Sequence, residues 1–299
     1  MGPYLLRFHI RDLEQFTGVK AHTIRVWERR YGLLKPDRTD TNIRTYDLDE
    51  LKVILNVAFL NQRGHKISRI AAMTADQREK LVSSTALEDQ DADGVLNSLV
   101  VAMVGFEEAP FDRICEKYEK ERGFRALVEQ IFMQLLGRVG LLWQSSVICP
   151  AQEHFASNLI RQRLIAATAK QPAPTSAGPL HVLFLPEQEV HELGLLYANY
   201  LLRSHGKRTI YLGPSVPIAD LTQVSRLHGG ELLYIAQFIV NPPLADTPRY
   251  LRALRQQLPE DRARFLLAFA GSAYLEAKDV PGGMDLVTDV RGLISAIDK

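Results

Sequence analysis

The chain has 299 residues, 46% of them hydrophobic and 24% charged, which is ordinary globular material, too long for a single core and sufficient for two or three domains. Its net charge of +1 hides an asymmetry: residues 1–80 hold 15 Lys+Arg against 10 Asp+Glu and the remainder 21 against 25, as suits a basic nucleic-acid-binding domain tethered to a more acidic sensor. No run approaches 18 apolar residues, the start lacks a secretory pattern, and the two cysteines, Cys115 and Cys149, lie outside any C-x-x-C; this argues against a membrane span, a disulfide framework and a cysteine zinc site, and the expected location is the cytoplasm.

At the front, FHIRDLEQFTGVKA reads as a short amphipathic helix with Ile10, Leu13 and Phe16 on one stripe, closed by Gly18 at the tight turn of a helix-turn-helix. A second helix starts near Ala21. Its first turns carry His22, Thr23 and Arg25, where a recognition helix meets base edges and phosphates, while Ile24, Val26, Trp27 and Tyr31 are expected to pack inward. After Gly32 and Pro36 the chain runs through Arg38, Asn42 and Arg44 to Tyr46, polar enough for a solvated hairpin and repeatedly basic. Read from the residues alone, a small helical domain with merely solvated charges is the alternative. The helix T-I-R-x-W-E-R-R-Y-G-L, the hairpin R-T-x-T-N-x-R-x-Y and the following D-L-D-E-L-K resemble the MerR family of winged-helix transcription regulators across roughly residues 4–74. The resemblance implies that His22, Thr23 and Arg25 contact bases or phosphates and that Arg38, Asn42 and Arg44 contact DNA from the wing. Tyr46 is open to two roles, a wing contact or a core residue that secures the wing.

Helices over 48–61 and 66–73 complete the first domain, and from 75 to about 170 the pattern stays helical, with Leu96, Leu99, Val100 and Met103 forming one apolar face. Four or so helices there make a bundle. QPAPTSAGP, residues 171–179, is the clearest linker. Beyond it, strands over 180–185, 209–212, 232–240, 265–269 and 285–287 alternate with helices over 193–204, 219–227, 248–258 and 290–297. Such alternation implies a Rossmann-like, flavodoxin-like α/β domain with a parallel sheet covered on both faces. The expected organisation is therefore a winged helix-turn-helix over 1–75, a helical bundle over 76–170 and a Rossmann-like domain over 180–299.

Directly after the first strand of this last domain stands Glu189-Val190-His191-Glu192-Leu193-Gly194, an E-x-H-x-x-G that arises somewhere by chance roughly one time in twenty at this composition. Its position gives it weight. The loop leaving that strand is where a doubly wound sheet receives its ligand, and a neutral imidazole there suits a transition metal. Glu189 could accept from the other ring nitrogen of His191, and Gly194 would let a ligand approach the backbone.

In the bundle, Trp143 is followed nine residues later by Glu153-His154, a rarer pattern with chance matches on the order of a few per thousand. Taken singly, Trp143 is a core aromatic and Glu153 and His154 a solvated helix face. Together and in this order, behind a MerR-like domain, they resemble the light-responsive cobalamin-dependent repressors of the CarH and CarA type, in which the W-x9-E-H bundle caps the upper face of cobalamin and E-x-H-x-x-G supplies the lower axial histidine.

That resemblance implies a cofactor, adenosylcobalamin by preference, held by Trp143, Glu153, His154, Glu189, His191, Gly194, Ser215 and Gly271, with His191 on the metal. It implies no catalysis. Its partners are a double-stranded operator, further copies in a dimer or tetramer, and an antirepressor protein. The chain departs from the family pattern at the third strand, where Ile235-Ala236-Gln237-Phe238 stands in place of a serine motif, and after the fourth, where Gly271-Ser272 replaces Gly-Gly. Gln144 stands where the best-known light sensors carry the histidine that captures cobalt. A regulator that has lost the cofactor and uses the domain for oligomerisation or partner binding is the alternative, with a corrinoid enzyme component behind it.

Overall fold

The computed structural model describes residues 7–88, 92–145, 147–174, 178–228, 230–258, 263–269 and 275–298. The chain forms two compact units, Met1–Leu159 and Ile160–Lys299.

In the first unit, α1 (Ile10–Thr17) ends at Gly18, whose φ of 73° closes the helix with a bond back to the Glu14 carbonyl, a left-handed cap that a side chain would strain. The turn into α2 (Ala21–Tyr31) is locked from the side. Glu14 accepts from the Ala21 amide and from Lys20 Nζ, each at 3.0 Å, so a carboxylate supplies the cap that Lys20, as N-cap residue, does not. Strands β1 (Asp37–Arg38) and β2 (Arg44–Thr45) pair antiparallel as a wing. Asp47 and Glu50 form a reciprocal capping box at the start of α3 (Leu48–Gln62). Leu13, Phe16, Ile24, Trp27, Tyr46 and Leu51 are buried in this part of the unit.

After α4 (Ile67–Ala71) come α5 (Ala75–Glu88), α6 (Ala92–Val104) and α7 (Glu108–Arg122). Next, α8 (Phe124–Ala126) runs through a π-helical stretch, Leu127–Phe132, into α9 (Met133–Gln144), and α10 (Pro150–Ala169) follows. The division between the units falls inside α10, and α3 packs against both α5 and α6. Helices expected as a separate bundle thus share a unit with the wing domain. Phe124–Gln144 is long and apolar enough, by length and composition, to cross a membrane. Here Leu127, Ile131, Leu135, Val139 and Leu142 are buried instead, and Arg138 reaches out of the helix to Asn97 Oδ1 at 2.6 Å and to the Phe16 carbonyl.

The second unit is a five-stranded parallel sheet in the order β4-β3-β5-β6-β7, comprising β3 (Leu180–Pro186), β4 (Thr209–Val216), β5 (Leu232–Phe238), β6 (Ala263–Phe269) and β7 (Met284–Val287). Every residue of β3 is buried, the continuous apolar run required of a strand covered on both faces. Leu183, Leu185, Ile235 and Leu266 pack under α11 (Leu193–Ser204) and α14 (Val290–Ile297), and Val182, Phe184, Tyr234 and Phe265 form the opposite core with residues of α12 (Ile218–Leu227) and α13 (Thr247–Gln257). The strand order reverses between β3 and β5, so the loops leaving these two strands flank the topological switch point. The third strand stops at Phe238 rather than at residue 240, because the amides of Ile239 and Val240 turn away to bond a carboxylate.

Candidate functional site

The outward stripe of α2 consists of His22, Arg25, Val26, Arg29 and Arg30, with Thr23 half-buried beside it. Val26 was expected inside and is 47% exposed; Ile24 and Trp27 alone satisfy the core side of this short helix, which leaves an apolar group on a basic face, suited to a thymine methyl. Sequence reasoning named only the first turns and missed Arg29 and Arg30, although the helical period places Arg29 one turn beyond Arg25 and Arg30 one turn beyond Val26. Tyr46 takes the second of its two roles: its side chain is fully buried and its hydroxyl donates to Glu28 Oε2 at 3.1 Å. Glu28 also accepts from Arg44 Nε at 3.0 Å, so one carboxylate of α2 ties both ends of the wing strand to the recognition helix. Burial, with Glu28 beside it, pushes the Tyr46 phenol well above its ordinary value. Asn42 sits at φ 61° in the wing turn and accepts from Arg38 Nη1 at 2.6 Å through its side-chain oxygen. A short polar side chain tolerates that left-handed turn, and Arg38 stays exposed at the wing.

At the switch point of the second unit, Glu189 is completely buried. Its Oε2 accepts from the amides of Ile239, Val240 and Asn241 at 3.1, 2.7 and 3.0 Å. Its Oε1 accepts from the amides of Val190 and His191 and, at 2.6 Å, faces His191 Nδ1. Burial alone pushes this carboxyl up, but the amides of Asn241, Val240 and His191 and the His191 ring outweigh it and hold it at about 2. Against an ionised carboxylate Nδ1 must carry a proton, so in the neutral ring the lone pair is on Nε2. The ring is half-exposed and its Nε2 has no hydrogen-bond partner among the described residues. An oriented, neutral imidazole with a free Nε2 is the donor an axial metal site needs. Around it, Glu192 accepts from Arg161 Nε at 2.5 Å and from the Tyr211 hydroxyl at 2.7 Å. Ser215, exposed, accepts from the Gln188 amide through its hydroxyl oxygen and donates its own amide to the Glu189 carbonyl, so it braces the loop. Gly194 is in the first turn of α11 against Gln237. Gly271 lies outside the described residues. Val190, Ile239, Val240 and Leu244 are exposed apolar groups on the loops beside His191.

In the first unit, Trp143 on the last turn of α9 is 52% exposed, with Leu141 and Phe106 also exposed. It is therefore not the core aromatic that a lone tryptophan suggests. Glu153 and His154 occupy the first turn of α10, with His154 Nε2 3.3 Å from Glu153 Oε2. Gln152 explains their outward aim: buried, it accepts from the Cys149 amide and donates to the Val104 carbonyl, which fixes the rotation of the helix start. Gln144 is exposed beside Trp143.

Residues 8–77 match the MerR helix-turn-helix family of regulatory proteins, and residues 95–167 match a B12-binding domain family. The chain is a DNA-binding regulator that carries a MerR-like helix-turn-helix domain and a B12-binding module. This regulator is 28% identical over 258 residues to the HTH-type transcriptional repressor CarH of Myxococcus xanthus, spanning 84% of the chain and 85% of the relative. It is 29% identical over 219 residues to the repressor CarA of the same organism, spanning 72% and 71%. In fold it is similar to the monomethylamine corrinoid protein of Methanosarcina barkeri, with a TM-score of 0.55 at 14% identity over 68% of the chain and 97% of that protein. The sequence expectation of a regulator rather than an enzyme agrees with these relatives.

Two outcomes follow from the geometry. Arg25→Ala and Arg29→Ala should each lower the magnitude of the log–log salt slope of operator binding by about one per subunit contact, measured by fluorescence anisotropy; wild-type slopes in both would remove α2 from the interface. The lowered pKa of Glu189 means that its contribution to stability is complete above about pH 4.5 and is lost as pH falls toward 2. Glu189→Gln should therefore cost about 1–3 kcal/mol near neutral pH, with the gap to wild type closing below pH 4.5 in urea titrations. A gap independent of pH would contradict the assignment.

Proposed function

We propose that this regulator is a transcriptional repressor whose operator binding and assembly follow adenosylcobalamin and its photolysis. The observation that carries the reading is the His191 imidazole, oriented by buried Glu189 with its Nε2 edge free at the switch point. The residues fit the group. His191 would hold cobalt from below, and exposed Val190, Ile239 and Val240 would give the corrin an apolar seat. Trp143 would contribute apolar area, and Glu153 and His154 polar contacts, toward the upper ligand. Bound cobalamin supplies a light-cleavable cobalt–carbon bond.

The residues themselves do the rest. Glu189 holds the proton on Nδ1, so Nε2 is the ring atom that His191 would offer a metal. Gln144 offers an amide where a second imidazole would be needed to lock the illuminated form, so the light response rests on loss of the upper ligand without histidine capture. At the other end, α2 and the wing of one subunit make a small contact area. Pairing of two copies on half-sites about one helical turn apart supplies the affinity. On this reading the protein acts on DNA in the cytoplasm as a dimer or tetramer, with an antirepressor as a further partner. The exposed Trp143, Leu141 and Phe106 give a cofactor or a second protein an apolar surface.

The test is a visible-absorbance titration of the full-length protein with adenosylcobalamin in the dark, repeated with His191→Ala, alongside operator binding before and after illumination. Wild type should bind the cofactor, the variant should bind about 10–100-fold more weakly with a changed spectrum, and light should change operator affinity only in the loaded wild type. An unchanged spectrum and affinity in His191→Ala would overturn the ligand. Absence of any binding would favour a cofactor-free regulator.

A further inference from the structure

Gln237 is the penultimate residue of β5 and belongs to the stripe of Leu233 and Ile235, the face of the sheet covered by α11 and α14. It is 9% exposed, and its Oε1 has no hydrogen-bond partner among the described residues. A buried amide oxygen without a partner loses its hydration with nothing in exchange, so this is an unusual way to end an otherwise apolar stripe. The amide is pressed onto α11 at Gly194. A Cβ built on that glycine would stand 2.2 Å from Gln237 Oε1, 2.9 Å from its Cδ and 3.0 Å from its Nε2.

The close approach that a glycine three residues after His191 makes available is thus taken by a side chain of the same protein. Gly194 has an ordinary helical backbone, so its missing side chain serves space and not conformation. The space lies beside the histidine loop, on the side where Glu189 ties that loop to the residues just after Gln237. A group appended to a cofactor held at His191 would need an opening beside that loop, and Gln237 fills the one over Gly194.

We propose that Gln237 is a specificity-determining residue that closes the gap over Gly194, so that the protein grips a corrinoid through its ring and metal and gains little from the nucleotide tail. This rests on the cobalamin reading above and adds the class of ligand to it: corrinoids irrespective of the lower nucleotide, including those that lack one. Removing the amide opens the gap. Gln237→Ala deletes no side-chain hydrogen bond seen among the described residues, so the variant should fold.

The experiment compares dissociation constants of the full-length protein for hydroxocobalamin and for diaquocobinamide, which has the same ring without the nucleotide, by absorbance titration. Wild type should bind the two within about threefold, and Gln237→Ala should bind hydroxocobalamin roughly tenfold or more tightly with no gain for diaquocobinamide. Gln237→Ser should behave like the alanine variant. Adding Gly194→Ala to Gln237→Ala should refill the gap and abolish the new preference.

The proposal is overturned if wild type strongly prefers hydroxocobalamin and Gln237→Ala erases that preference, since the amide would then be a tail ligand. It is equally overturned if neither Gln237 variant changes the ratio. Binding of neither corrinoid by wild type would overturn the cobalamin reading and this proposal together, whereas a tail preference in wild type overturns this proposal alone.

Discussion

A single buried carboxylate organises the second unit. Glu189 accepts three consecutive amides from the loop after β5 and, through its other oxygen, two amides and the ring of its own loop after β3. Those two loops leave adjacent strands at the point where the strand order reverses, so without a common acceptor several buried backbone donors would have no partner. The same bonds that hold the charge inside the protein also set the tautomer of His191. Stability of the loop pair and readiness of the ring to bind a metal are consequences of one interaction.

The recognition face is built on the same plan. Glu28 projects from the back of α2 and takes the Tyr46 hydroxyl and the Arg44 guanidinium, so a single carboxylate sets the orientation of the wing relative to the recognition helix. Arg38, held by Asn42, and the exposed stripe from His22 to Arg30 are then carried on a rigid frame. Rigid presentation matters because phosphate contacts fix register only if they act together. Arg138 extends the frame. From α9, the helix that ends at Trp143, it reaches the carbonyl of Phe16 at the end of α1, which joins the helical region and the wing domain by a direct hydrogen bond.

What was legible in the sequence was what repeats locally. The helical period announced α1 and α2, the glycines marked their ends, and apolar runs spaced by helices gave the parallel sheet with nearly the observed strands. Histidine and glutamate two residues apart could be read as a pair because the contact is local. Contacts between residues far apart in sequence were not legible: Glu189 finds its three amides about fifty residues downstream, and Gln237 of β5 finds Gly194 of α11 with β4 and α12 between them in the chain. Nor does a residue type declare which way it faces. Val26 and Trp143 would be core residues by composition, and both are exposed because their short helices already bury enough neighbours to satisfy the interior.

The central claim is that His191 Nε2 is the protein's ligand to cobalt. Reducing the bound corrinoid to the cobalt(II) form and recording its electron paramagnetic resonance spectrum, with protein grown on natural-abundance and on ¹⁵N-labelled histidine, tests it directly. The account predicts superhyperfine splitting from one axial nitrogen that changes from a triplet to a doublet pattern with the label and disappears in His191→Ala. A splitting unaffected by the label would contradict it, because the axial nitrogen would then belong to the cofactor itself.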